Sequence, residues 1–253
     1  MGRIIAIANQ KGGVGKTTTA INLSACLAEL GKKVLIIDMD PQGNATSGLG
    51  YNKNELENTV YELLLGQVSV KQCTMQTSIE NLYLIPSNVN LAGAEIELLS
   101  INGKEFILKN ETDYVRDDFD YILIDCPPSL NMLTINAMTT AETVLVPIQC
   151  EYYALEGLNS LMPTINLVQT RLNPKLDVEG IVFTMFDART NLSQDVVDSV
   201  KSNFDKNVFE TIIPRNIRLA EAPSHGQPIN TYDPRSAGAE SYRELAKELV
   251  KRG

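Results

Sequence analysis

The chain is poor in several things that would narrow its function. Among 253 residues there is no tryptophan, one histidine and four cysteines. The cysteines, Cys26, Cys73, Cys126 and Cys150, show no C-x-x-C pairing. Reduced core or surface thiols of a cytosolic protein are therefore expected, rather than a disulfide framework or a paired-thiol site. The lone histidine, His225 in "APSHGQP", has no Ser or Asp that the sequence can pair with it, so a turn residue is expected rather than a catalytic base. Positive charge is also short: 22 Lys and Arg stand against 31 Asp and Glu, for a net charge of −9. A surface basic all over is excluded, and any anionic partner must meet a local patch. No apolar run approaches the length of a membrane span. The first apolar stretch is too short, and too quickly followed by Gly and Lys, for a signal peptide.

What is present is an ordinary globular balance, 43% hydrophobic and 21% charged. Apolar runs rich in β-branched residues recur: "RIIAIAN" (3–9), "KVLIIDMD" (33–40), "LYLIPS" (82–87), "YILIDCP" (121–127), "TVLVPIQ" (143–149), "GIVFTMF" (180–186) and "VFETIIP" (208–214). Most are apolar on both faces, as strands covered on each side must be. Helix-length segments lie between them. "TTTAINLSACLAELG" ends at Gly31, and "NLSQDVVDSVKSNF" carries Val196, Val197, Val200 and Phe204 at helical spacing. "LEGLNSLMPTINLVQTRL" contains Pro163, which predicts a kink or a late start. "VYELLLGQ" reads as a short helix inside the segment 49–81, the hardest to assign. "GAESYRELAKELVKRG" closes the chain as an amphipathic helix. Strand alternating with helix predicts an α/β fold: a mostly parallel twisted sheet with helices on both faces. No repeat, low-complexity tract or linker divides it, so residues 1–253 are expected to form a single domain.

The first strand runs into "NQKGGVGKTTT", Asn9 to Thr19. A glycine-rich turn between a strand and a helix is the context of a P-loop. There, backbone N–H groups ring a phosphate, Lys16 reaches the terminal phosphates, and the Thr17 hydroxyl ligates Mg²⁺. Gly13 and Gly15 allow the close backbone approach. The usual pattern has glycine six residues before the lysine, where this chain has Gln10. Instead, a second lysine, Lys11, opens the turn. Two like charges in one turn should repel, unless an anion sits between them or one lysine points away.

"KGGVGKTT" is the deviant form of the Walker A motif, and the chain resembles the ParA/MinD family of ATPases. "DMDPQGNATSGLG" (38–50), "DCPPS" (125–129) and "IPRNIRLAEAPSHGQPI" (213–229) resemble its chromosome-partitioning ParA (Soj) branch. The likeness runs nearly end to end. It implies a P-loop NTPase fold, with ATP and Mg²⁺ as cofactors. The ATP site would comprise Lys11, Gly12, Gly13, Val14, Gly15, Lys16, Thr17 and Thr18. It further implies a homodimer that forms when ATP is bound. Lys11 would then reach the nucleotide of the facing subunit, and Gly12 would sit where the two chains nearly touch.

Two acidic strand ends accompany the loop. "LIIDMDPQ" offers Asp38 and Asp40, which project from one side if the strand lasts that far. By resemblance Asp40 positions the attacking water and helps hold hydrated Mg²⁺, making it catalytic with Lys11 and Lys16. The residues leave open a capping or turn role for either acid, and for Asp38 the two readings stand even. "YILIDCPPS" has the Walker B form, with Asp125 placed to bind Mg²⁺ through water opposite Thr17. Pro127 and Pro128 take the chain out of the sheet there. Cys126 reads as a small core residue. In this family the base lies against the segment after the last strands, where Pro214 offers a carbonyl and an apolar surface and Asn216 an amide.

The resemblance implies non-specific binding of double-stranded DNA by the ATP dimer, and hydrolysis stimulated by a ParB-type centromere-binding protein. The location implied is cytoplasmic and nucleoid-associated. Arg189 in "FDARTNLS" and Arg218 in "RNIRLAEA" match positions tied to DNA, although solvated surface arginine is the plainer reading of each. The alternative is a MinD-like membrane-associated ATPase. Its mark would be a basic C-terminal helix tipped with bulky apolar residues. Tyr242, Leu245, Leu249 and Val250 are few enough to be used up in packing, and the polar face mixes acids with bases. A cluster-bearing reductase would need paired cysteines, which are missing.

Overall fold

Residues 1–204 and 207–253 are described by a computed structural model. Eight strands form one sheet: β1 (Arg3–Ile7), β2 (Val34–Asp38), β3 (Met75–Gln76), β4 (Leu82–Ile85), β5 (Tyr121–Asp125), β6 (Thr143–Gln149), β7 (Asp177–Phe186) and β8 (Val208–Pro214). Their order is β3-β4-β2-β5-β1-β6-β7-β8, parallel except for the β3–β4 pair. The α/β fold expected from strand–helix alternation is therefore present. The antiparallel stub β3 adds two edge residues that no apolar run announced.

Burial on both faces explains the apolar runs. In β1, Ile4 and Ala6 pack into one core layer, and Ile5 and Ile7 into the opposite one. The first layer is covered by Met132–Thr140, Ala154–Arg171 and Asn191–Phe204, the second by Lys16–Glu29 and Ala237–Arg252. Helix Lys16–Glu29 ends where Gly31 takes φ +78°. There Lys32 N–H donates to the Leu27 carbonyl at 3.1 Å and Gly31 N–H to Ala28 at 2.9 Å, satisfying the last carbonyls. The Val60–Leu64 helix is short, as expected, and begins with a capping box between Thr59 and Glu62.

The structure narrows two open expectations. Helix Ala154–Arg171 is one continuous element with Pro163 inside it, so it does not start late. Leu158, Leu161, Ile165 and Val168 are buried on either side of the proline, and that packing holds the helix together across the missing N–H. Strand β2 stops at Asp38 rather than Asp40, so the condition under which both acids would project from one side of a strand is not met.

Parallel topology puts the functional ends together. The central strand β1 lies between β5 and β6, and β5 between β1 and β2. Ile7 is level with Asp125, and Asp125 with Asp38. The chain order reverses around β1, which opens a crevice at the carboxyl ends of the strands.

Candidate nucleotide site

The loop after β1 rises over that crevice. Gly13 and Gly15 take φ +75° and +88°, a left-handed backbone that favours glycine. Gly12 differs. Its backbone is not left-handed, and a Cβ built on it meets nothing within 4 Å. Nothing inside the described chain requires a glycine there.

The two loop lysines part company. Lys16 is buried, and its Nζ donates to the Lys11 carbonyl at 3.1 Å across the loop. Burial lowers its pKa, opposed by the charge of Asp125. Lys11 turns outward, its Nζ 3.4 Å from Glu151 Oε2 and 5.9 Å from the Tyr153 ring centroid. The crowding is relieved because one lysine points away.

A cavity of about 320 Å³ lies inside the loop, lined by Gly13, Lys16, Thr17, Asp40 and Met185 among others. A second, of about 300 Å³, adjoins it through Gly15, Thr18 and Met185 and runs to Pro214, Asn216 and Tyr242. The first is polar and sized for phosphates, the second more apolar and sized for a base. Of the predicted loop residues, Gly12, Gly13, Gly15, Lys16, Thr17 and Thr18 line these adjoining cavities together with Asp40, Pro214 and Asn216, whereas Lys11 and Val14 do not. Asn216 Oδ1 is already used, accepting from Arg218 N–H at 2.8 Å, which leaves Nδ2 for a ligand.

The acids beneath the loop have unequal roles. Asp38 is fully buried and accepts from Thr46 N–H at 2.9 Å, Thr46 Oγ1 at 2.7 Å and Asp40 N–H at 3.2 Å. Of its two open readings, the capping one fits: it satisfies the first turn of helix Asn44–Gly48. Burial pushes its pKa up to about 6 despite these bonds. Asp40, beyond the strand, lines the phosphate cavity, and its Oδ1 accepts from Gln42 N–H at 2.9 Å.

Asp125 is also fully buried, yet neither of its oxygens has a hydrogen-bond partner. Thr17 lies near enough to lower its pKa somewhat, but no bond of normal geometry reaches the carboxylate. Burial and the neighbouring Asp38 raise its pKa well above the usual carboxylate value. A buried carboxylate without donors suits a hard, oxygen-seeking divalent cation. Thr17 and Asp40 add oxygens nearby. Among the described residues no three or more His, Cys, Asp and Glu side chains converge as a metal cluster. Phosphate and water oxygens would therefore have to complete the shell of a bound Mg²⁺.

Three residues of the cleft carried no sequence signal of their place there. Thr184 Oγ1 lies 2.8 Å from the Val14 carbonyl and 3.1 Å from that of Ile148, tying the loop to β7. Met185 takes φ +51°, rare for a side chain of its size, and lines both cavities. Tyr242 is buried, its hydroxyl 3.1 Å from Thr19 Oγ1, joining the C-terminal helix to the loop helix. The four cysteines are all buried and free. Burial raises each thiol, to about 12 for Cys26, Cys73 and Cys150. His225 is the last residue of a short 3-10 helix, Ala222–His225, rather than a turn residue, and it stacks on Tyr232, with ring centroids 4.9 Å apart.

The two candidate DNA arginines follow the ends of the neighbouring strands β7 and β8, outside the cleft's phosphate cavity. Both are already paired. Arg189 makes a two-point contact with Asp187 (Nε–Oδ1 2.9 Å, Nη2–Oδ2 2.7 Å). Arg218 faces Glu221 at 2.8 Å and Asp233 at 3.4 Å.

A family model described as an AAA domain matches residues 2–178. The sporulation initiation inhibitor protein Soj of Bacillus subtilis is 56% identical over 253 residues, covering all of both chains. The chromosome partitioning protein ParA of Myxococcus xanthus is 52% identical, covering all of this chain and 89% of that protein. Among solved structures, cobyrinic acid a,c-diamide synthase from Mycobacterium smegmatis with bound ATP analogue and magnesium superposes with TM-score 0.88. It is 40% identical and covers all of this chain and 96% of its own. On full-length identity above 50%, the chain belongs to the Soj/ParA family of chromosome-partitioning P-loop ATPases.

Proposed function

We propose that this chain is a single-domain, Mg²⁺-dependent ATPase that works as a DNA-partitioning switch. It pairs with a second copy when ATP is bound, holds double-stranded DNA without sequence preference, and lets go after hydrolysis stimulated by a ParB-type partner. Its place would be the cytoplasm, on the nucleoid. The observation that carries this reading is the division of the two loop lysines. Lys16 lies inside the chain's own phosphate cavity, whereas Lys11 is turned out of it toward Glu151 and the Tyr153 ring. A cation so placed suits the triphosphate of a facing subunit. Gly12 supports the same face: the chain alone leaves room for a side chain there, so a demand for glycine would come from a partner.

In this reading the loop N–H groups and Lys16 hold the phosphates, and Pro214 and Asn216 the base. Thr17 directly, and Asp125 and Asp40 through water, hold Mg²⁺, which neutralises charge on the phosphates when bound. Asp40 orients the attacking water. Arg189 and Arg218 contact DNA phosphates after exchanging their own carboxylates for them.

A membrane role finds no support at the C-terminus. Tyr242, Leu245 and Leu249 are buried against the sheet and the Lys16–Glu29 helix, so the apolar face of helix Ala237–Arg252 is occupied. No described helix is long and apolar enough to cross a membrane.

The deciding experiment is DNA retention with ATP, with ADP and without nucleotide, across a salt series. Retention with ATP only, falling steeply with salt, is expected. Equal retention in all three states would remove the switch.

A further inference from the structure

Asp40 belongs to no strand or helix, and its position is set by a closed ring of buried hydrogen bonds. Asp40 N–H donates to Asp38 Oδ1 at 3.2 Å. The other oxygen of Asp38 accepts from Thr46 Oγ1 at 2.7 Å. Thr46 Oγ1 in turn accepts from Ser87 N–H at 2.9 Å. Ser87 Oγ then donates to the Asp40 carbonyl at 2.8 Å, closing the ring. Asp38, Thr46 and Ser87 are each wholly buried.

We infer that Thr46 and Ser87 are positioning residues for hydrolysis. They fix the peptide of Asp40 on both sides and so aim its carboxylate at the phosphate cavity. The inference rests on the ATPase reading proposed above.

Three features support positioning over mere stability. The ring grips the backbone on either side of one residue, so little rotation of that residue remains. Its members come from two segments, 38–46 and 87, so it pins the loop after β2 to the end of β4. It also makes no use of Lys16, Thr17 or the glycines of the loop, so phosphate binding does not depend on it. Loss of one ring bond should therefore spare nucleotide affinity and slow the chemical step, where small misplacements are costly.

Ser87→Ala is the gentlest break, because the Asp40 carbonyl keeps a second donor, Gly43 N–H at 2.8 Å. Thr46→Val removes the hydroxyl at similar volume, and Thr46→Ser restores it. ATP affinity and single-turnover hydrolysis are measured on each variant beside wild type. Expected are ATP affinity within about twofold of wild type for all three, hydrolysis about tenfold slower in Ser87→Ala and Thr46→Val, and near-normal hydrolysis in Thr46→Ser. Hydrolysis within twofold of wild type in Ser87→Ala overturns the inference. So does a parallel loss of affinity and rate, which marks a structural role. Wild type that does not bind ATP at all is a separate result, and it sinks the ATPase reading instead.

Discussion

The acids under the phosphate loop and the arginines at the β7–β8 rim are opposite electrostatic cases. Asp125 is buried, and no donor reaches it. Arg189 is exposed and already holds Asp187 at two points. The first arrangement is incomplete without a cation, so it stores a demand for a ligand. The second is complete, so a ligand must compete with an internal partner and gains only the difference. Burial makes the central site decisive, and solvent makes the rim adjustable. The same contrast separates the two loop lysines, one buried over a cavity and one half-exposed beside Glu151.

The largest effect belongs to the buried lysine. Lys16→Ala removes the one cation that lines the phosphate cavity among the described residues, where low dielectric strengthens its pull on phosphate. ATP affinity is expected to fall by about 100-fold or more, measured by calorimetry with Mg²⁺ present. A fall of less than threefold would mean that the buried and exposed lysines do not differ in kind, and the central contrast would break.

Asp125→Asn sharpens the contrast from the other side. A carboxylate whose pKa is raised by folding weakens the fold when it ionises, because the folded state then prefers the proton more than the unfolded state does. Stability from this group is intact below its unfolded value of about 4 and is lost as pH rises toward its folded value. The amide carries no charge to bury. Without nucleotide, the variant should match wild type near pH 4 and unfold several degrees higher at neutral pH. Adding Mg²⁺-ATP should reverse the order, since wild type gains a bound cation that the variant cannot hold. Thermal unfolding across pH, with and without Mg²⁺-ATP, checks both halves. Equal unfolding temperatures at neutral pH would show that Asp125 is already compensated.

Legibility in the sequence follows the same division. The loop, Asp125 and the C-terminal helix were readable because each depends on residues adjacent in sequence or at helical spacing. Asp38 and Asp40 were told apart by the resemblance, which favoured Asp40; alternation could not do so, because it says nothing about where a strand stops, and the stop at Asp38 puts Asp40 beyond the strand. Tyr242 was read as a packing residue, but its contact with the loop helix, like those of Thr184 and Ser87, was invisible for a different reason. Their bonds reach 223, 170 and 47 residues along the chain. Only the assembled sheet brings them to the cleft. Met185 left no trace either, since a left-handed backbone is marked in sequence by Gly or Asn, seldom by a long side chain. Pro163 allowed a kink or a late start, and the burial of four apolar neighbours in the same helix excludes the late start.

The smallest effect is expected at the rim, and there the pairing itself can be tested. Arg189→Ala removes one phosphate contact per subunit. In a dimer the slope of log affinity for DNA against log salt should become shallower by roughly 2, with weakening about equal on unrelated sequences. Asp187→Asn should act oppositely. It leaves Arg189 in place but removes the charge that holds it, so the guanidinium no longer has to be taken from a carboxylate before it meets a phosphate. The side chains involved are exposed on the arginine side, where solvent screens the pair, so the gain should be a few-fold at low salt and vanish at high salt. ATP affinity should be unchanged in both variants, because neither residue lines the phosphate cavity. Fluorescence anisotropy on two unrelated duplexes across a salt series measures all of this together. If Asp187→Asn binds DNA no better than wild type while Arg189→Ala binds worse, the internal pair does not compete, and Arg189 is available to DNA as it stands. If neither variant changes the salt slope, the arginine is a solvated surface residue and the DNA contact lies elsewhere, with Arg218 next to be tested.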